Sequence, residues 1–475
     1  MSAEHAANIY GIPGELTKYR DRDCDWRNKY RERKKFKPFS LFMSTEHVAD
    51  IGEIAGEKDR YRDRYKKIHI SRFKKLSARI RQLTSLTPVD ESSSDKIDKY
   101  KFKILRRVRG RIERMTSLTI RGAPLWPEQT SYLARALGFS RLFLTNLNLS
   151  SSVFDPVGFL HISDTLGRLR LLTELDLCSN ALGQEEVLHV SDALARLDFL
   201  TAVNIDLDSN PRVAFRRSGL FKRLRSLGSL DRIIMMSNEI GDVWADSFSA
   251  ILPMMPNIKS LSLGCNQIGP EGARALSNGL GNLVSLTTLI LRDNNIGSEG
   301  AEWLSSALCK LTSLDWLNLD CNNIHESVSL GSALSHLKSL RVLSLCKNGI
   351  TARGITAIAD GIKEIATIEK LHLDDNNFGF EESVYLLDSL KNNTVLYDLD
   401  MDRVNIFSGD YVLVPGAPNC DSVQHRVCSG LAISLAKLKA VKYISMRQNG
   451  ISFEWYEYIR DVLRKDKPTV CLSTS

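Results

Sequence analysis

The side chains of this chain that could do chemistry are a cysteine–histidine cluster and one histidine near carboxylates. Cys420, His425 and Cys428 have the spacing C-x4-H-x2-C, which supplies three of the four ligands that a structural zinc ion needs. Cys428 falls where a helix is expected to begin, so packing explains it better than metal binding. His372 lies near several aspartates, and a lone histidine is more often a surface residue than a general base. We therefore predict no metal site and no catalytic residue.

Sequence signatures of enzymes lead to the same prediction. The chain contains no P-loop, no H-E-x-x-H, no G-x-S-x-G and no protein-kinase signature set. Each of those motifs holds a phosphate, a metal or a nucleophile in a defined backbone setting. The sequence therefore predicts a protein that is not an enzyme and that needs no cofactor.

A repeated phrase organises most of the chain and must position any side chains that act. It has the form L-x-x-L-x-L-x-x-N-x-I, and in one copy Val404 replaces the asparagine. A fixed phrase at a fixed period, here commonly 28 residues, indicates a solenoid of stacked repeats. The twelve candidate repeats start at Met115, Phe139, Leu172, Leu200, Leu230, Ile258, Leu286, Leu314, Leu340, Ile368, Leu396 and Val441.

Each repeat is long enough for one strand and one helix. Alternating leucines such as Leu289 and Leu291 are expected to lie on the inner side of a short strand. The asparagine that follows can satisfy backbone groups at the turn, and stacked asparagines would form a ladder. Pro270 then predicts the first turn of a helix. One strand and one helix cannot bury their apolar faces alone, so neighbouring repeats must stack.

A period near 28 with a full helix per unit, and the I-G-x-x-G-A pattern from Ile268 and Ile296, resembles the ribonuclease-inhibitor type of leucine-rich repeat. The resemblance covers residues 114–452. It implies an α/β solenoid, a horseshoe with parallel strands on the concave side and helices on the convex side. Ribonuclease inhibitor, Ran GTPase-activating proteins, NOD-like receptor sensor arrays, actin regulators and axonemal subunits share this type. The resemblance thus implies a binding surface without choosing its partner.

Side chains between and after the strand leucines are expected to face the concave side. In the C-terminal half they form a mostly acidic strip with three aromatic residues, which suits a basic protein partner. The alternative is that these positions are simply polar, because aspartates are common where strands end. Trp316 is the strongest candidate, since a large aromatic side chain at an exposed strand position often marks an interaction site. The predicted partner-binding residues are Arg292, Asp315, Trp316, Asp320, His372, Asp374, Tyr397, Asp400, Asp402 and Tyr443.

The net charge of +8 hides two differently charged parts. Residues 1–114 hold 30 Lys and Arg against 17 Asp and Glu, whereas the remainder holds 34 against 39. The predicted organisation is a basic arm, helical or partly disordered, then a linker, a capping helix, the solenoid, and a C-terminal cap and tail. The corresponding ranges are 1–84, 85–95, 96–113, 114–452 and 453–475.

The basic arm predicts an anchor to something anionic, such as an acidic tubulin surface, RNA or a lipid headgroup layer. The candidate anchor residues are Arg31, Arg33, Lys34, Lys35, Arg62, Arg64, Lys66 and Lys67. The alternative is a solvated charged helix that caps the solenoid or stays disordered until bound. The 17 acidic residues of this part favour local ion pairs and weaken the case for nucleic acid.

An insertion near residues 407–425 interrupts the repeats, because the step from Leu396 to Val441 is 45 residues. Inserted loops often carry partner contacts, so this loop is a second candidate binding element. No stretch approaches the roughly 20 apolar residues of a membrane helix. The nine cysteines and the absence of a basic-then-apolar leader predict an intracellular protein, cytoplasmic or cytoskeletal. Early acids such as Glu4 weaken a mitochondrial transit peptide without excluding it.

These features predict a non-enzymatic scaffold for protein–protein interaction. The solenoid would be the docking surface, and the basic arm would anchor it in a large intracellular assembly, such as a flagellar axoneme or a ribonucleoprotein particle. Two alternatives stay open. One is a regulator of a small GTPase similar to Ran GTPase-activating proteins, although the strongly acidic tail that such proteins tend to carry is missing here. The other is an inhibitor that envelops a basic enzyme.

Overall fold

The computed structural model describes residues 116–473, apart from short gaps of which 206–219 and 407–419 are the longest. The strands are β1 Ser117–Thr119, β2 Pro124–Leu125, β3 Asn146–Asn148, β4 Val153–Phe154, β5 Glu174–Leu177, β6 Ala202–Ile205, β7 Arg232–Ile234, β8 Ser260–Ser262, β9 Thr288–Ile290, β10 Trp316–Asn318, β11 Val342–Ser344, β12 Lys370–His372, β13 Asp398–Asp400, β14 Tyr443–Ser445 and β15 Cys471–Ser473. The α-helices are α1 Pro127–Phe139, α2 Pro156–Leu166, α3 Gln184–Leu194, α4 Leu220–Leu224, α5 Asp242–Ser249, α6 Pro270–Leu280, α7 Gly297–Leu308, α8 Val328–Leu334, α9 Ala352–Ile362, α10 Gly379–Ser389, α11 Cys420–Lys437 and α12 Phe453–Asp466. A 3-10 turn covers Leu252–Met254.

Thirteen of these strands form one open, parallel sheet. Their order in the sheet is their order in the chain, from β1 and β3 through β5 to β15, while β2 and β4 pair separately. A helix stands between each two consecutive strands of the large sheet. Each repeat therefore contacts mainly its sequence neighbours, as in a solenoid. The predicted α/β solenoid with parallel strands is confirmed.

The difference in packing distance between strands and helices places the strands on the inner side. Paired strands lie about 4.8 Å apart, whereas packed helices need about 8–10 Å between their axes. A stack with strands on one side and helices on the other must curve toward the strands. The open face of the sheet is thus the concave face.

The core lies between the sheet and the helix layer. Leu286, Leu289 and Leu291 of one repeat are at most 1% exposed, and Ala301 and Leu304 of the following helix are equally buried. Burying a leucine side chain stabilises the fold by about 1.5–3 kcal/mol. The same three leucine positions recur in each repeat, so the hydrophobic core is continuous along the solenoid.

The asparagines form the predicted ladder. The amide nitrogen of Asn294 donates hydrogen bonds to the carbonyls of Leu263 (3.0 Å) and Leu291 (2.8 Å), one in the preceding repeat and one in its own. Its amide oxygen accepts a hydrogen bond from the backbone N–H of Ile268 (3.0 Å). Asn180 and Asn238 occupy the same position and make the same kind of contact. Both stand at the asparagine position of the phrase, in the repeats that start at Leu172 and Leu230.

One predicted repeat start is wrong. Phe139 ends helix α1, and the strand of that repeat is β3 at Asn146–Asn148. The buried residue two positions before this strand is Leu144, as Leu286 is for β9, so the repeat starts there. The sequence LGFSRLFL offers apolar residues at several alternative registers, and helix packing decides between them.

The solenoid continues beyond the last predicted repeat. Helix α12 covers most of the predicted cap, and strand β15 then pairs with β14 in parallel register. The basic arm, the linker, the capping helix and most of the insertion lie outside the described residues. Those predictions stay predictions.

Candidate functional site

Parallel pairing in register arranges the predicted partner-binding residues in rows across the concave face. Trp316 of β10 lies between Thr288 and Val342, and His372 of β12 lies beside Asp400 of β13. Neighbouring members of a row are about 4.8 Å apart at the backbone. Residues that are 28 positions apart in sequence thereby become adjacent on one surface.

The three aromatic residues bracket this surface. Trp316 and Tyr397 are half-buried, and Tyr443 is 45% exposed. The ammonium group of Lys370 lies 5.6 Å from the centre of the Tyr397 ring, within cation–π distance. Burial raises the pKa of the Tyr397 phenol. From β10 to β14 the face extends over four strand spacings, roughly 19 Å, which can engage several residues of a partner.

Asp315 already has a cationic partner within the fold. Arg341 lies between two acids, 3.7 Å from the Asp315 carboxylate and 2.7 Å from that of Glu369. The hydrogen bond and charge of Glu369 raise the pKa of Arg341, and burial raises the pKa of Asp315. Sequence reasoning missed Arg341, although it occupies the position just after a strand leucine as Asp315 does. Arg341 therefore offsets part of the negative charge at this edge of the face.

Two basic residues form the floor of the face. Lys370 is 3% exposed and His372 is 5% exposed. The His372 Nε2 atom lies 3.5 Å from an oxygen of Asp398. His372 was predicted to contact a partner, and the structure places it among buried groups beneath the outermost side chains.

Asp374 and Asp400, both predicted binding residues, lie together in adjacent repeats. Their carboxyl groups share a hydrogen bond, and burial together with Asp374 raises the pKa of Asp400 to about 9. At neutral pH the protonated Asp400 thus donates a hydrogen bond to the Asp374 carboxylate. Two carboxyl groups this close cannot both ionise without a cation between them. A cationic group of a partner would be well placed to displace the proton.

Replacing Asp400 by asparagine is expected to flatten the pH dependence of stability. The folded pKa is raised above the unfolded value, so this carboxyl favours folding below about pH 4 and progressively less as the pH rises toward 9. Asp374 and Asp402 raise the pKa, and His372 opposes them. One pKa unit corresponds to about 1.4 kcal/mol, so we expect a gain of about 1 kcal/mol or more at pH 8. Urea unfolding of the full chain at several pH values measures this.

Asp293→Asn is the matched control, because it removes an exposed carboxylate from the same side of the solenoid. It is expected to leave the slope of stability against pH between 5 and 9 unchanged. Equal slopes for wild type and Asp400→Asn would show that Asp400 is ionised at neutral pH, contrary to the paired arrangement.

Asp320 and Asp402 have structural roles in addition to any role in binding. One oxygen of Asp320 accepts hydrogen bonds from the Ser344 hydroxyl (2.6 Å) and the Cys346 backbone N–H (2.7 Å) of the next repeat. Asp402 accepts hydrogen bonds from the Ser445 hydroxyl (2.6 Å) and from the Arg447 backbone N–H (2.6 Å). Both aspartates therefore tie neighbouring repeats together. The sequence feature that indicates this role is the serine at the same strand position of the next repeat, Ser344 or Ser445.

The acidic character of the face is concentrated in two repeats, those that start at Ile368 and Leu396. Their concave positions carry Glu369, Asp374, Asp375, Asp398, Asp400 and Asp402 against Lys370 and Arg403. Arg403 forms a two-point pair with Asp375, with 2.7 Å between Nη2 and Oδ2. Two basic residues therefore leave an acidic excess at β12 and β13, which we call the acidic patch. The acidic excess therefore covers two repeats, whereas the sequence predicted an acidic strip along the whole C-terminal half.

The remaining predicted residues lie several strands from the patch or outside the described residues. Arg292 is one repeat before Trp316, with its guanidinium 3.9 Å from the Cys265 sulfur. The arm residues from Arg31 to Lys67 and the insertion up to residue 419 are not among the described residues. The same holds for the side chains of Cys420 and His425. Cys428 is fully buried within α11, and burial raises its pKa to about 12, which favours a packed thiol.

An open parallel sheet with one helix per strand and a polar concave face defines a solenoid repeat protein. Three segments match the family model described as "Leucine Rich repeat", at residues 255–277, 282–305 and 336–359. The chain therefore contains leucine-rich repeats. No curated protein is similar enough in sequence to count as a match. Among the described residues, every helix is too short or too polar to span a lipid bilayer.

Two solved structures show similarity at low sequence identity. An internalin (inlF) from Listeria monocytogenes str. 4b F2365 is 18% identical, with 64% of this chain and 86% of that chain covered and a TM-score of 0.39. A TLR13–ssRNA13 complex is 17% identical, with 66% and 44% covered and a TM-score of 0.37. This chain thus spans less than half of the second protein.

Proposed function

We propose that this protein is a non-enzymatic scaffold that docks a basic partner protein on its concave face. The observation that carries the proposal is the acidic patch at β12 and β13, which contains Tyr397 and has Trp316 on one side and Tyr443 on the other. Aromatic anchors next to unbalanced charge are typical of protein-binding surfaces. The 28-residue repeats with helices of 11 or 12 residues, as in α6 and α7, support the ribonuclease-inhibitor type of repeat.

The basic arm would anchor the scaffold in a large intracellular assembly of axonemal or ribonucleoprotein type. An excess of 13 positive charges in residues 1–114 supports an anionic partner, a tubulin surface or RNA. The insertion at 407–425 would add contacts beside the acidic patch, since it joins β13 to α11. Free thiols at the seven described cysteines accord with a cytoplasmic or cytoskeletal location.

The double variant Trp316→Ala/Tyr397→Ala is expected to weaken partner binding by roughly 30-fold or more. Aromatic residues at the centre of an interface commonly contribute about 2 kcal/mol or more each when truncated. The measurement is affinity purification of the tagged full chain followed by a dissociation constant for the recovered partner. Raising the salt concentration should weaken the same interaction, because charges at the patch contribute.

Trp303→Ala/Tyr458→Ala is the matched control, since it removes one tryptophan and one tyrosine side chain from helices of the convex side. Trp303 is 40% exposed and Tyr458 is 37% exposed. Binding should be unchanged in this variant. Equal affinities for wild type and the concave-face variant would remove the concave face as the docking surface, whatever the partner is.

The alternatives from the sequence have their own test. A regulator of a small GTPase would accelerate hydrolysis in a single-turnover GTP assay, whereas a scaffold would leave the rate unchanged. An enveloping inhibitor would also use the acidic patch, and it would abolish the activity of the basic enzyme that it binds. Inhibition at a one-to-one ratio separates that function from simple docking.

A further inference from the structure

Three exposed apolar side chains form a ridge at the N-terminal end of the described solenoid. Phe143, Leu171 and Phe199 are 49%, 41% and 57% exposed. Each stands just before the first leucine of its repeat, at Leu144, Leu172 and Leu200. The strands of these repeats are direct neighbours in the sheet, so the three side chains fall within about 10 Å. We call this set the apolar ridge.

Six of the other repeats carry a polar residue at the same position, and two carry Val395 and Ala440. In three of the six the polar side chain bonds to the preceding repeat. The Ser229 hydroxyl donates a hydrogen bond to the carbonyl of Asp198 in the preceding repeat (3.1 Å). Asn257 donates to the carbonyl of Gly228 (2.9 Å), and Thr367 donates to that of Lys338 (3.0 Å). The apolar residues of the ridge cannot form this hydrogen bond to the preceding repeat. Three consecutive repeats expose hydrophobic surface there instead. Packing of the solenoid itself therefore does not account for these residues.

Three arginines outnumber one aspartate, Asp198, in the turns next to Leu171 and Phe199. Arg168, Arg170 and Arg196 are exposed in the turns that lead from α2 and α3 to the following strands. The aliphatic part of Arg196 lies against Gly167 of the preceding repeat, close enough that a Cβ there would be 3.1 Å from its Cδ. An apolar surface with three arginines calls for an apolar and acidic occupant. A second copy of the ridge would place arginines against arginines and is disfavoured.

A segment of that composition lies within the basic arm, outside the described residues. Residues 38–57 hold no Lys or Arg, although ten precede them and twenty follow them within residues 1–114. The apolar residues of this segment include Phe39, Leu41, Phe42, Met43, Val48, Ile51 and Ile54. Its acids are Glu46, Asp50, Glu53 and Glu57. Apolar side chains and a net negative charge thus occur together in the middle of the basic arm.

We propose that residues 38–57 dock on the apolar ridge of the same chain, with their acids against Arg168, Arg170 and Arg196. The chain from residue 57 to β1 is nearly 60 residues long, which is long enough to span roughly 40 Å or more. β1 pairs directly with β3, in the repeat that carries Phe143, so the segment reaches the ridge easily.

A photo-cross-linking residue in the full-length protein tests the contact directly. Benzoylphenylalanine in place of Leu171 is expected to cross-link to a peptide from residues 38–57. The matched control is the same replacement at Val395, which occupies the same position of a distant repeat and is 40% exposed. A mixture of isotopically light and heavy chains shows whether the link is within one chain. Links to another segment, links between chains, or no link at position 171 would each overturn the proposal.

Hydrogen exchange of the full-length protein provides a second readout that does not depend on the cross-linker. In wild type, amides within residues 38–57 should exchange at least tenfold more slowly than an unstructured peptide. The triple variant Phe143→Ser/Leu171→Ser/Phe199→Ser should abolish this protection, and Val395→Ser should not. Serine is the native residue at this position in other repeats, such as Ser285 and Ser313, so the triple variant is expected to fold. Unchanged protection in the triple variant contradicts docking on the ridge.

Reversing the charges on both sides of the contact distinguishes specific docking from nonspecific hydrophobic association. Replacing the three arginines by glutamate should remove the cross-link to residues 38–57. Adding Glu46→Arg, Asp50→Arg and Glu53→Arg in the same chain should restore it, because opposite charges again face each other. Failure of the second set to restore the link would show that the acids of this segment do not meet the ridge.

Discussion

Asn376→Ala is expected to lower the free energy of unfolding by about 3 kcal/mol. The Asn376 amide nitrogen donates to the carbonyls of Leu345 (3.0 Å) and Leu373 (2.6 Å), and its oxygen accepts from the N–H groups of Asn348 (3.2 Å) and Ile350 (2.9 Å). The side chain is 3% exposed, so alanine would remove a partner from backbone groups of two successive repeats that lie away from water. Each buried group left without a partner costs about 1–3 kcal/mol, and some local relaxation reduces the sum.

Asn377→Ala provides a matched control in the next residue. Asn377 is exposed, and its side-chain oxygen accepts only a hydrogen bond from Asn405 (2.7 Å). Surface changes of this kind usually alter stability by less than about 0.5 kcal/mol. Chemical unfolding of both variants, with hydrogen exchange to locate the loss, measures the difference. A change below about 1 kcal/mol for Asn376→Ala would show that the ladder contributes little to stability.

The ladder also shows how much of the fold follows from the sequence. The spacing of leucines and asparagine predicts strands, turns and stacked amides because each repeat must bury the same face and satisfy the same turn. Asn180 follows from the same spacing, because LTELDLCSNAL has the three leucines and the asparagine of the phrase. Val404 is fully buried at the asparagine position, and its backbone N–H donates to the Asn449 side chain (2.8 Å). A valine thus replaces the asparagine at one position of the ladder. The repeated phrase alone does not predict that this position tolerates a hydrophobic residue.

The concave face follows from the sequence only in part. The period places Asp315, Asp374 and Asp400 on one side of the sheet, since every strand presents the same positions. It does not say which of them meet a partner within the fold. Arg341 pairs with Asp315, and Asp400 shares a proton with Asp374, through contacts between repeats that are 26 or 28 residues apart. Such pairs depend on side-chain rotamers and burial, which a one-dimensional pattern does not contain.

Helices α8 and α9 approach each other closely where one repeat is shortened. The step from Leu314 to Leu340 is 26 residues instead of 28, and its helix α8 has only seven residues. Gly331 of α8 and Gly361 of α9 face each other across this contact. A Cβ on Gly361 would lie 2.0 Å from the Gly331 carbonyl oxygen, and one on Gly331 would lie 2.2 Å from that of Ala357. Two glycines therefore allow the shortened repeat to stack without a gap.

Gly361→Ala is expected to lower the free energy of unfolding by about 3–4 kcal/mol, the largest effect of a single methyl group that we predict. The obstructing atoms are backbone, so they can move only if α8 and α9 separate, and overpacking of this kind costs several kcal/mol. Gly138→Ala is the control, because Gly138 is also helical but a Cβ added to it would have no atom within 4 Å. Alanine there should stabilise by up to about 0.5 kcal/mol through helix propensity. Opposite signs for the two substitutions in chemical unfolding, with faster hydrogen exchange of α8 and α9 in Gly361→Ala alone, are the expected result. Wild-type stability in Gly361→Ala would mean that the helices have room to shift, and that the shortened repeat is not held by this contact.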